Sequence, residues 1–168
     1  HEMTLPTAPP SDPTNAYADN AGAQSLGRSL FADKALSPSG SVACATCHDP
    51  NKEFADALGQ STGMAKMDRN APSVALAAYS RWQFWDGRAQ GSFNDPITGQ
   101  VVLATGASLE IQALGPPTSD VEMGNVNRNW NDVAARIEEH GEGDAQLIDE
   151  RRQQLLSHPR RPQLLPHR

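Results

Sequence analysis

The length of 168 residues and the net charge of −6 fit one globular domain, but the charge is unevenly spread. All 20 acidic residues and nine of the 14 basic residues lie in residues 1–150, whereas residues 151–168 carry five arginines and no acidic residue. The acidic charge of residues 1–150 argues against a nucleic-acid-binding protein. The sequence contains no apolar run of about 18 residues, so it predicts no membrane-spanning helix.

The chain predicts a folded domain between two extended ends. We expect a Pro-rich extended arm over residues 1–20, a domain over 21–145, and an extended basic tail rich in arginine and proline over 146–168. The arm has no apolar core of the kind that signal peptides carry. We therefore expect the chain to be an exported form whose signal peptide has been removed.

Short helices and long loops are predicted within the domain. Periodic apolar residues predict helices over 20–32, from Ala43 onward, and over 72–79, 109–114 and 130–139. The fourth of these should stop at the following Gly-Pro-Pro sequence, at residues 115–117. Residues 100–103 read as a strand, with 96–98 as the other arm of a small hairpin. An all-α domain with long loops and a small β-like insertion over 91–108 follows.

Cys44, Cys47 and His48 form the pattern of a covalent haem c site. Two thiols three residues apart can each add to a haem vinyl group, and the next residue then supplies a proximal nitrogen to the iron. The chain has only these two cysteines. One covalent haem would supply much of the core that a sequence with 5% aromatic residues lacks. The all-α domain is therefore predicted to be a cytochrome c-like haem domain.

Zinc and a redox dithiol are the other readings of this pattern. A zinc site needs about four ligands, and a redox dithiol needs a βαβ setting that is not predicted here. The remaining histidines, at positions 1, 140, 158 and 167, have no matching spacing. Haem c is therefore preferred. Because haem c is attached outside the energy-transducing membrane, we expect a periplasmic location.

A larger set of residues extends the haem motif into a longer pattern. Its members are Leu26, Phe31, Asp33, Leu36, Gly40, the haem motif with Pro50, Phe54, Asp56, Arg69, Asn70, Pro72, Phe84, Trp85, Asp86, Gly87, Arg88, Ala89, Leu109, Gln112, Glu122, Met123 and Gly124. In this order they resemble the N-terminal, peroxide-handling haem domain of the bacterial dihaem cytochrome c peroxidase and MauG family. The resemblance covers roughly residues 25–140 and is highly specific.

The resemblance implies a distal pocket for peroxide. Splitting an O–O bond needs an acid/base and a hydrogen-bond donor, and the matching positions imply Glu122 and Gln112 for these roles. Trp85 matches a residue that lies between the two haems of the family and passes electrons. Without the resemblance, Glu122 and Gln112 would read as surface polar residues and Trp85 as a core aromatic.

Three further residues match family positions of a different kind. Arg69 and Arg88 are expected to anchor a haem propionate or a turn, because buried charges need partners. Asn70 matches a calcium-binding position between the two domains of the family. Since the other calcium ligands belong to the second domain, the sequence gives little support for calcium here.

The sixth iron position departs from the family pattern. Residues 61–68 contain no histidine, although family members carry a distal histidine in this stretch. The position is then open or filled by water, or else Met64, Met67 or Met123 supplies a thioether, as in low-spin electron carriers. The sequence is compatible with an open and with a methionine-ligated iron, and it favours the open site by a small margin.

Two classes of function compete at this point. The first is a peroxidase-like oxidoreductase, and the second is a monohaem electron-transfer or accessory subunit of a larger membrane-associated redox complex. Retention of Gln112, Glu122 and Trp85 favours the first class, whereas the lack of a second haem motif favours the second. Either class requires a redox partner protein or a second haem subunit, and the two extended ends are candidates for contact with a larger complex.

Overall fold

A computed structural model describes residue 15, residues 17–125 and residues 129–140. Within these ranges the helices are α1 (Ala21–Ala32), α2 (Cys44–Cys47), α3 (Ser108–Ala113), α4 (Gly115–Thr118) and α5 (Trp130–His140). Strands β1 (Phe93–Asn94) and β2 (Val101–Leu103) form one antiparallel sheet. The prediction of helices with one small β insertion is thus confirmed. The basic tail and nearly all of the Pro-rich arm lie outside the described residues.

A side-chain hydrogen bond to the backbone lies at each end of helix α1. The Asn20 side chain accepts a 2.9 Å hydrogen bond from the Ala23 N–H, which is a typical N-cap. After the last residue of α1, the Asp33 side chain accepts a 2.8 Å hydrogen bond from the Ala35 N–H and starts a short 3-10 helix over Lys34–Leu36. The helix predicted over 20–32 is confirmed.

The core lies where α1, α2 and α5 meet the turn that carries Met123. Leu36, Val42 and Met123 are buried together, and Leu30, Cys44 and Ile137 pack against them. Val133 of α5 is 1% exposed, which confirms the apolar stripe predicted for the helix over 130–139. Because Cys44 belongs to this cluster, the haem motif begins at the edge of the core.

The helix predicted over 72–79 is wrong except at its end. Only Ala77–Tyr79 is helical, as a 3-10 turn. The Ser73 hydroxyl donates to the Glu53 carbonyl oxygen, and the Val74 N–H donates to the Phe54 carbonyl oxygen at 3.4 Å. Residues 73–74 are therefore hydrogen-bonded to the turn after the haem motif and do not form a helix of their own.

Two further predicted segments can be compared with the structure. The helix predicted over 109–114 ends at Ala113, before the Gly-Pro-Pro sequence as expected, but Gly115–Thr118 then forms a separate short helix, α4. Proline is allowed in the first turn of a helix, where its missing N–H would have no partner. In the hairpin, the strand that pairs with β2 is β1 and not residues 96–98. Residues 96–98 belong to the turn, where the Asp95 carboxylate accepts 2.8 Å hydrogen bonds from the N–H groups of Ile97 and Thr98.

None of the helices in the described ranges has the length and apolar character that crossing a bilayer requires.

Candidate haem site

Helix α2 presents the two thiols and the histidine on a single helical turn. At its start, the Ala43 N–H donates a 2.9 Å hydrogen bond to Oγ1 of Thr46. At its end, the His48 N–H donates a 2.9 Å hydrogen bond to the Cys44 carbonyl oxygen. Because residues three apart share a face of a helix, Cys44 and Cys47 lie on the same side of this turn.

The His48 ring is oriented by a backbone carbonyl. Its Nδ1 lies 3.2 Å from the Phe54 carbonyl oxygen, so Nδ1–H donates and Nε2 keeps its lone pair for a metal. The carbonyl reaches the ring because the chain turns back, with the Asp49 N–H donating to the Ala55 carbonyl oxygen at 3.2 Å. Glu53 and Phe54 adopt left-handed backbone angles, with φ of 54° and 58°, in this turn.

The pKa of each thiol lies above its usual value. Burial raises the pKa of Cys44. Burial also raises the pKa of Cys47, and the negative charges of Asp56 and then Glu122 raise it further. Zinc binding and dithiol redox chemistry both need a thiolate. Within the part of the chain that the structure describes, no three His, Cys, Asp or Glu side chains gather as a metal site. The donor set therefore fits a covalently attached haem with His48 as its nitrogen ligand.

A buried carboxylate lies behind Cys47. Asp56 is 5% exposed, and one of its oxygens accepts a 2.9 Å hydrogen bond from the Leu58 N–H. The nearby Ser61 hydroxyl, followed by the hydrogen bond from the Leu58 N–H, holds the pKa of Asp56 below its usual value. Ser61 is fully buried, and its hydroxyl oxygen accepts a 2.6 Å hydrogen bond from the Ala71 N–H. Asp56 is thus a fixed negative charge near the haem motif.

Glu122 reaches the haem motif through the loop that precedes Arg69. The Met64 N–H donates a 2.9 Å hydrogen bond to the Glu122 carbonyl oxygen, and the Ala65 N–H donates a 3.1 Å hydrogen bond to that of Val121. The same loop approaches Cys47, whose sulfur lies 3.9 Å from the Thr62 carbonyl oxygen. The half-buried Glu122 is close enough for its charge to act on Cys47.

The three methionines considered as iron ligands occupy different settings. Met64 is 40% exposed, and its sulfur accepts a 3.1 Å hydrogen bond from the Ser39 hydroxyl. Met123 is 2% exposed and packs in the core cluster. Met67 is half-buried, and its N–H donates to the Ser61 carbonyl oxygen at 2.9 Å. Each of them belongs to the loop or the turn that surrounds Glu122.

The remaining residues of the predicted pocket are less tightly connected to it. Gln112 is half-buried on α3, and α4 joins this helix to the turn that carries Glu122. Arg69 and Asn70 are exposed, and the Arg69 carbonyl oxygen accepts a 3.0 Å hydrogen bond from the Ser61 N–H. The structure therefore joins Glu122 and Met64 to the loop that contacts Cys47 and leaves the side chains of Arg69 and Asn70 at the surface.

Trp85 lies at an exposed turn. Its side chain is 95% exposed, so the reading as a core aromatic does not hold. Arg88 forms a 2.9 Å ion pair with Asp86 and places its guanidinium 3.6 Å from the centre of the Phe84 ring. The backbone N–H and then the side chain of Arg88 lower the pKa of Asp86. In the described chain, Arg88 is thus engaged within its own turn.

Several residues that shape this site were not singled out from the sequence. They are Ser39, Ser61, Gly63 and Asn125. The Asn125 side-chain amide donates to the carbonyl oxygens of Leu36, at 3.2 Å, and of Pro117. These residues act through backbone groups far away in the chain, and no local pattern in the sequence marks them.

Comparison with known proteins supports the resemblance to the cytochrome c peroxidase and MauG family. A family model described as di-haem cytochrome c peroxidase matches residues 21–151. Cytochrome-c peroxidase IdrP2 of Pseudomonas sp. strain SCT is 42% identical over 85 residues, which cover 49% of this chain and 23% of that protein. Cytochrome c peroxidase Ccp of Escherichia coli K12 is 31% identical over 126 residues, covering 74% of this chain and 23% of that protein.

Methylamine utilization protein MauG of Methylorubrum extorquens AM1 is also similar, with 39% identity over 100 residues, which cover 58% of this chain and 24% of that protein. The matched part of this chain thus spans about a quarter of each of these three relatives.

Proposed function

This chain belongs to the di-haem cytochrome c peroxidase family, and from that premise we propose that it is a periplasmic haem unit at which peroxide is reduced. The observation that carries the proposal is the backbone pairing of Glu122 with Met64, on the loop whose Thr62 carbonyl oxygen lies 3.9 Å from the Cys47 sulfur. This pairing brings the Glu122 turn next to the loop that contacts the haem motif. A peroxidatic haem needs an acid/base beside it, and Glu122 is the proposed one.

Cys44 and Cys47 would hold the haem through thioether bonds, and His48 would bind the iron through Nε2. The bound haem supplies the iron centre that exchanges electrons with peroxide. The hydrogen bond from Nδ1–H of His48 to Phe54 keeps the ring in the ligating orientation and raises the basicity of Nε2. The exposed Arg69 side chain is available to a haem propionate, whereas Arg88 is already paired with Asp86 and would hold its turn.

Glu122 and Gln112 are the proposed acid/base and hydrogen-bond donor for peroxide. Glu122 takes a proton from the near oxygen of peroxide and returns it to the leaving oxygen, while the Gln112 amide donates a hydrogen bond to the substrate. Two electrons and two further protons complete the conversion of one peroxide into two waters. The electrons come from a redox partner protein or a second haem subunit.

Trp85 is the proposed contact for that partner. Its 95% exposed ring offers a path for electrons between the haem unit and a second haem protein. Haem attachment outside the energy-transducing membrane supports the periplasmic location. Asn70 is exposed, and a calcium ion there would need its other ligands from a partner, so we do not include calcium in the proposal.

A monohaem electron carrier is the second candidate function. The observation that favours it is the position of Met64, which lies beside Glu122 and Gly124, on the loop that approaches Cys47. A thioether from Met64, Met67 or Met123 on the iron would close the peroxide site and raise the potential. The chain would then transfer electrons without reducing peroxide.

The rate of reaction between peroxide and the ferric protein tests the proposal. Glu122→Ala should slow the peroxide-driven change in the ferric absorption spectrum by roughly 10²–10⁴-fold, which is the range for the loss of a positioned acid/base. Glu138→Ala, which removes an exposed carboxylate on α5, is the matched control and should react within about twofold of wild type. Equal, slow rates in wild type and Glu122→Ala would favour the electron carrier.

A further inference from the structure

Residues 61–69 form a closed loop, which we call the docking loop. The Gly63 N–H donates a 3.1 Å hydrogen bond to the Ala65 carbonyl oxygen, and the Met67 N–H donates a 2.9 Å hydrogen bond to that of Ser61. The Ser61 N–H then donates a 3.0 Å hydrogen bond to the Arg69 carbonyl oxygen. These bonds fix the shape of the loop, so a displacement at one residue moves its neighbours.

The base of the docking loop is fixed to the interior. The Ser61 side chain is fully buried, and its hydroxyl oxygen accepts a 2.6 Å hydrogen bond from the Ala71 N–H. Because Ala71 follows the loop in sequence, this bond ties the start of the loop to the chain just beyond its end. The base of the loop is therefore held in the protein interior.

The tip of the docking loop is paired with the segment that carries Glu122. Two backbone hydrogen bonds join them, from Met64 to Glu122 at 2.9 Å and from Ala65 to Val121 at 3.1 Å. The Glu122 segment is itself a turn, in which the N–H groups of Glu122 and Gly124 donate to the Ser119 carbonyl oxygen at 3.3 and 2.7 Å. The pairing thus sets the height and direction of this turn relative to the haem motif.

Gly63 is the residue that lets the two backbones approach. A Cβ at this position would collide with the Glu122 carbonyl oxygen and would lie 2.8 Å from the Val121 carbonyl oxygen. Both obstacles are backbone atoms, so they cannot turn aside as a flexible side chain would. The φ angle of Gly63 lies outside the left-handed region, so the contact alone excludes a side chain.

We propose that the docking loop positions Glu122 and that Gly63 is a positioning residue for the peroxide reaction. The inference rests on the function proposed above for Glu122. A Cβ at position 63 must push the loop and the Glu122 turn apart by about 1 Å to reach ordinary contact, and a displacement of that size at a reacting group can cost on the order of 10²-fold in rate.

The test compares two glycine variants of the haem-loaded protein. Gly63→Ala should lower the rate of the peroxide-driven spectral change by about 10- to 100-fold. Gly59→Ala is the matched control, because Gly59 also has an ordinary φ and nothing lies within 4 Å of its added Cβ; it should stay within about twofold of wild type. Equal rates for the two variants would overturn the inference.

A double variant separates a positioning role from general damage. In a Glu122→Ala background, Gly63→Ala should cause no further loss of rate, because the group that it displaces is gone. A further loss in the double variant would show that the substitution acts elsewhere.

The outcomes distinguish this inference from the function on which it rests. If Glu122→Ala reacts like wild type, the proposed function fails. If Glu122→Ala is slow and Gly63→Ala is fast, only the positioning role fails. Should Gly63→Ala not load haem, amide hydrogen exchange of the wild-type holoprotein decides the matter. The N–H groups of Met64 and Ala65 should be protected, and exchange at the rate of a free chain would overturn the pairing.

Discussion

The carbonyl oxygen of Phe54 lies 3.2 Å from Nδ1 of His48 and decides which ring nitrogen faces a metal. Because the partner is a backbone atom, no side-chain substitution at position 54 removes it. The orientation of the proximal ligand therefore depends on the left-handed turn at Glu53 and Phe54. The haem motif and this turn act as one unit, although only the motif itself is conspicuous in the sequence.

Haem attachment is the first prediction. The partly buried free thiols of Cys44 and Cys47 should each form a thioether, so the intact mass should exceed that of the polypeptide by one haem. The haem should survive acid–acetone extraction, and a Cys44→Ala/Cys47→Ala double variant should release it. Extractable haem in the wild type, or bound zinc in place of haem, would contradict the assignment of the site.

The sixth iron position is the subject of the second prediction. Since residues 61–68 have no histidine, the ferrous protein should bind carbon monoxide without prior reductive activation. Rapid-mixing absorption spectroscopy measures this directly. The opposite result would be a low-spin spectrum with a methionine-to-iron charge-transfer band. The band would then be lost in whichever of Met64→Leu, Met67→Leu and Met123→Leu removes the ligating thioether. Each of these substitutions keeps the side-chain volume nearly constant.

Asp56 gives a third prediction, which concerns stability. Asp56→Ala leaves the Leu58 N–H without its acceptor, and it should lower the free energy of unfolding by about 1–3 kcal/mol. The pKa of Asp56 is lower in the folded protein than in the unfolded chain. Its stabilising effect should therefore be complete above the unfolded pKa, at about pH 4, and should disappear as the pH falls through the folded pKa.

Denaturant unfolding of the wild type and Asp56→Ala across a pH series measures this effect. Asp19→Ala, at an exposed position, is the control and should change the free energy of unfolding by less than about 0.5 kcal/mol. A difference between wild type and Asp56→Ala that does not shrink below pH 4 would contradict the prediction that a charged Asp56 is the stabilising form.

Trp85 and Val133 give a fourth prediction, because they lie at opposite extremes of burial. Trp85→Ala removes a side chain that is 95% exposed and should change the free energy of unfolding by less than about 0.5 kcal/mol. Val133→Ala removes two methyl groups from a side chain that is 1% exposed and should cost about 2 kcal/mol. Thermal unfolding of the haem-loaded proteins compares them. A larger loss for Trp85→Ala would mean that its ring is covered.

Local patterns account for the parts of the fold that the sequence predicted. The Asn20 cap and the apolar stripe of α5 each lie within one helix, so their signals are local. The segment over 72–79 has helical composition, but its backbone is recruited by Glu53 and Phe54. Apolar periodicity within this segment carries no information about such a distant backbone partner.

The candidate site divides in the same way. Cys44, Cys47 and His48 follow from a five-residue motif, whereas Glu122 follows only from the family resemblance, and its backbone pairs with the docking loop. Gly63 carries no chemistry of its own, so nothing in the sequence marked it. Its importance lies in the space that it leaves between two backbones.

Asn125 has a consequence for the order in which this site is assembled. Its amide joins the carbonyl oxygen of Leu36, 89 positions earlier in the chain, to that of Pro117. Such a distant contact closes a long loop and forms after local structure has formed. The cysteines and the histidine of α2 are available on an unfolded chain. The turn that carries Glu122 therefore depends on a contact that closes late in folding, whereas the haem motif is complete within a single helical turn.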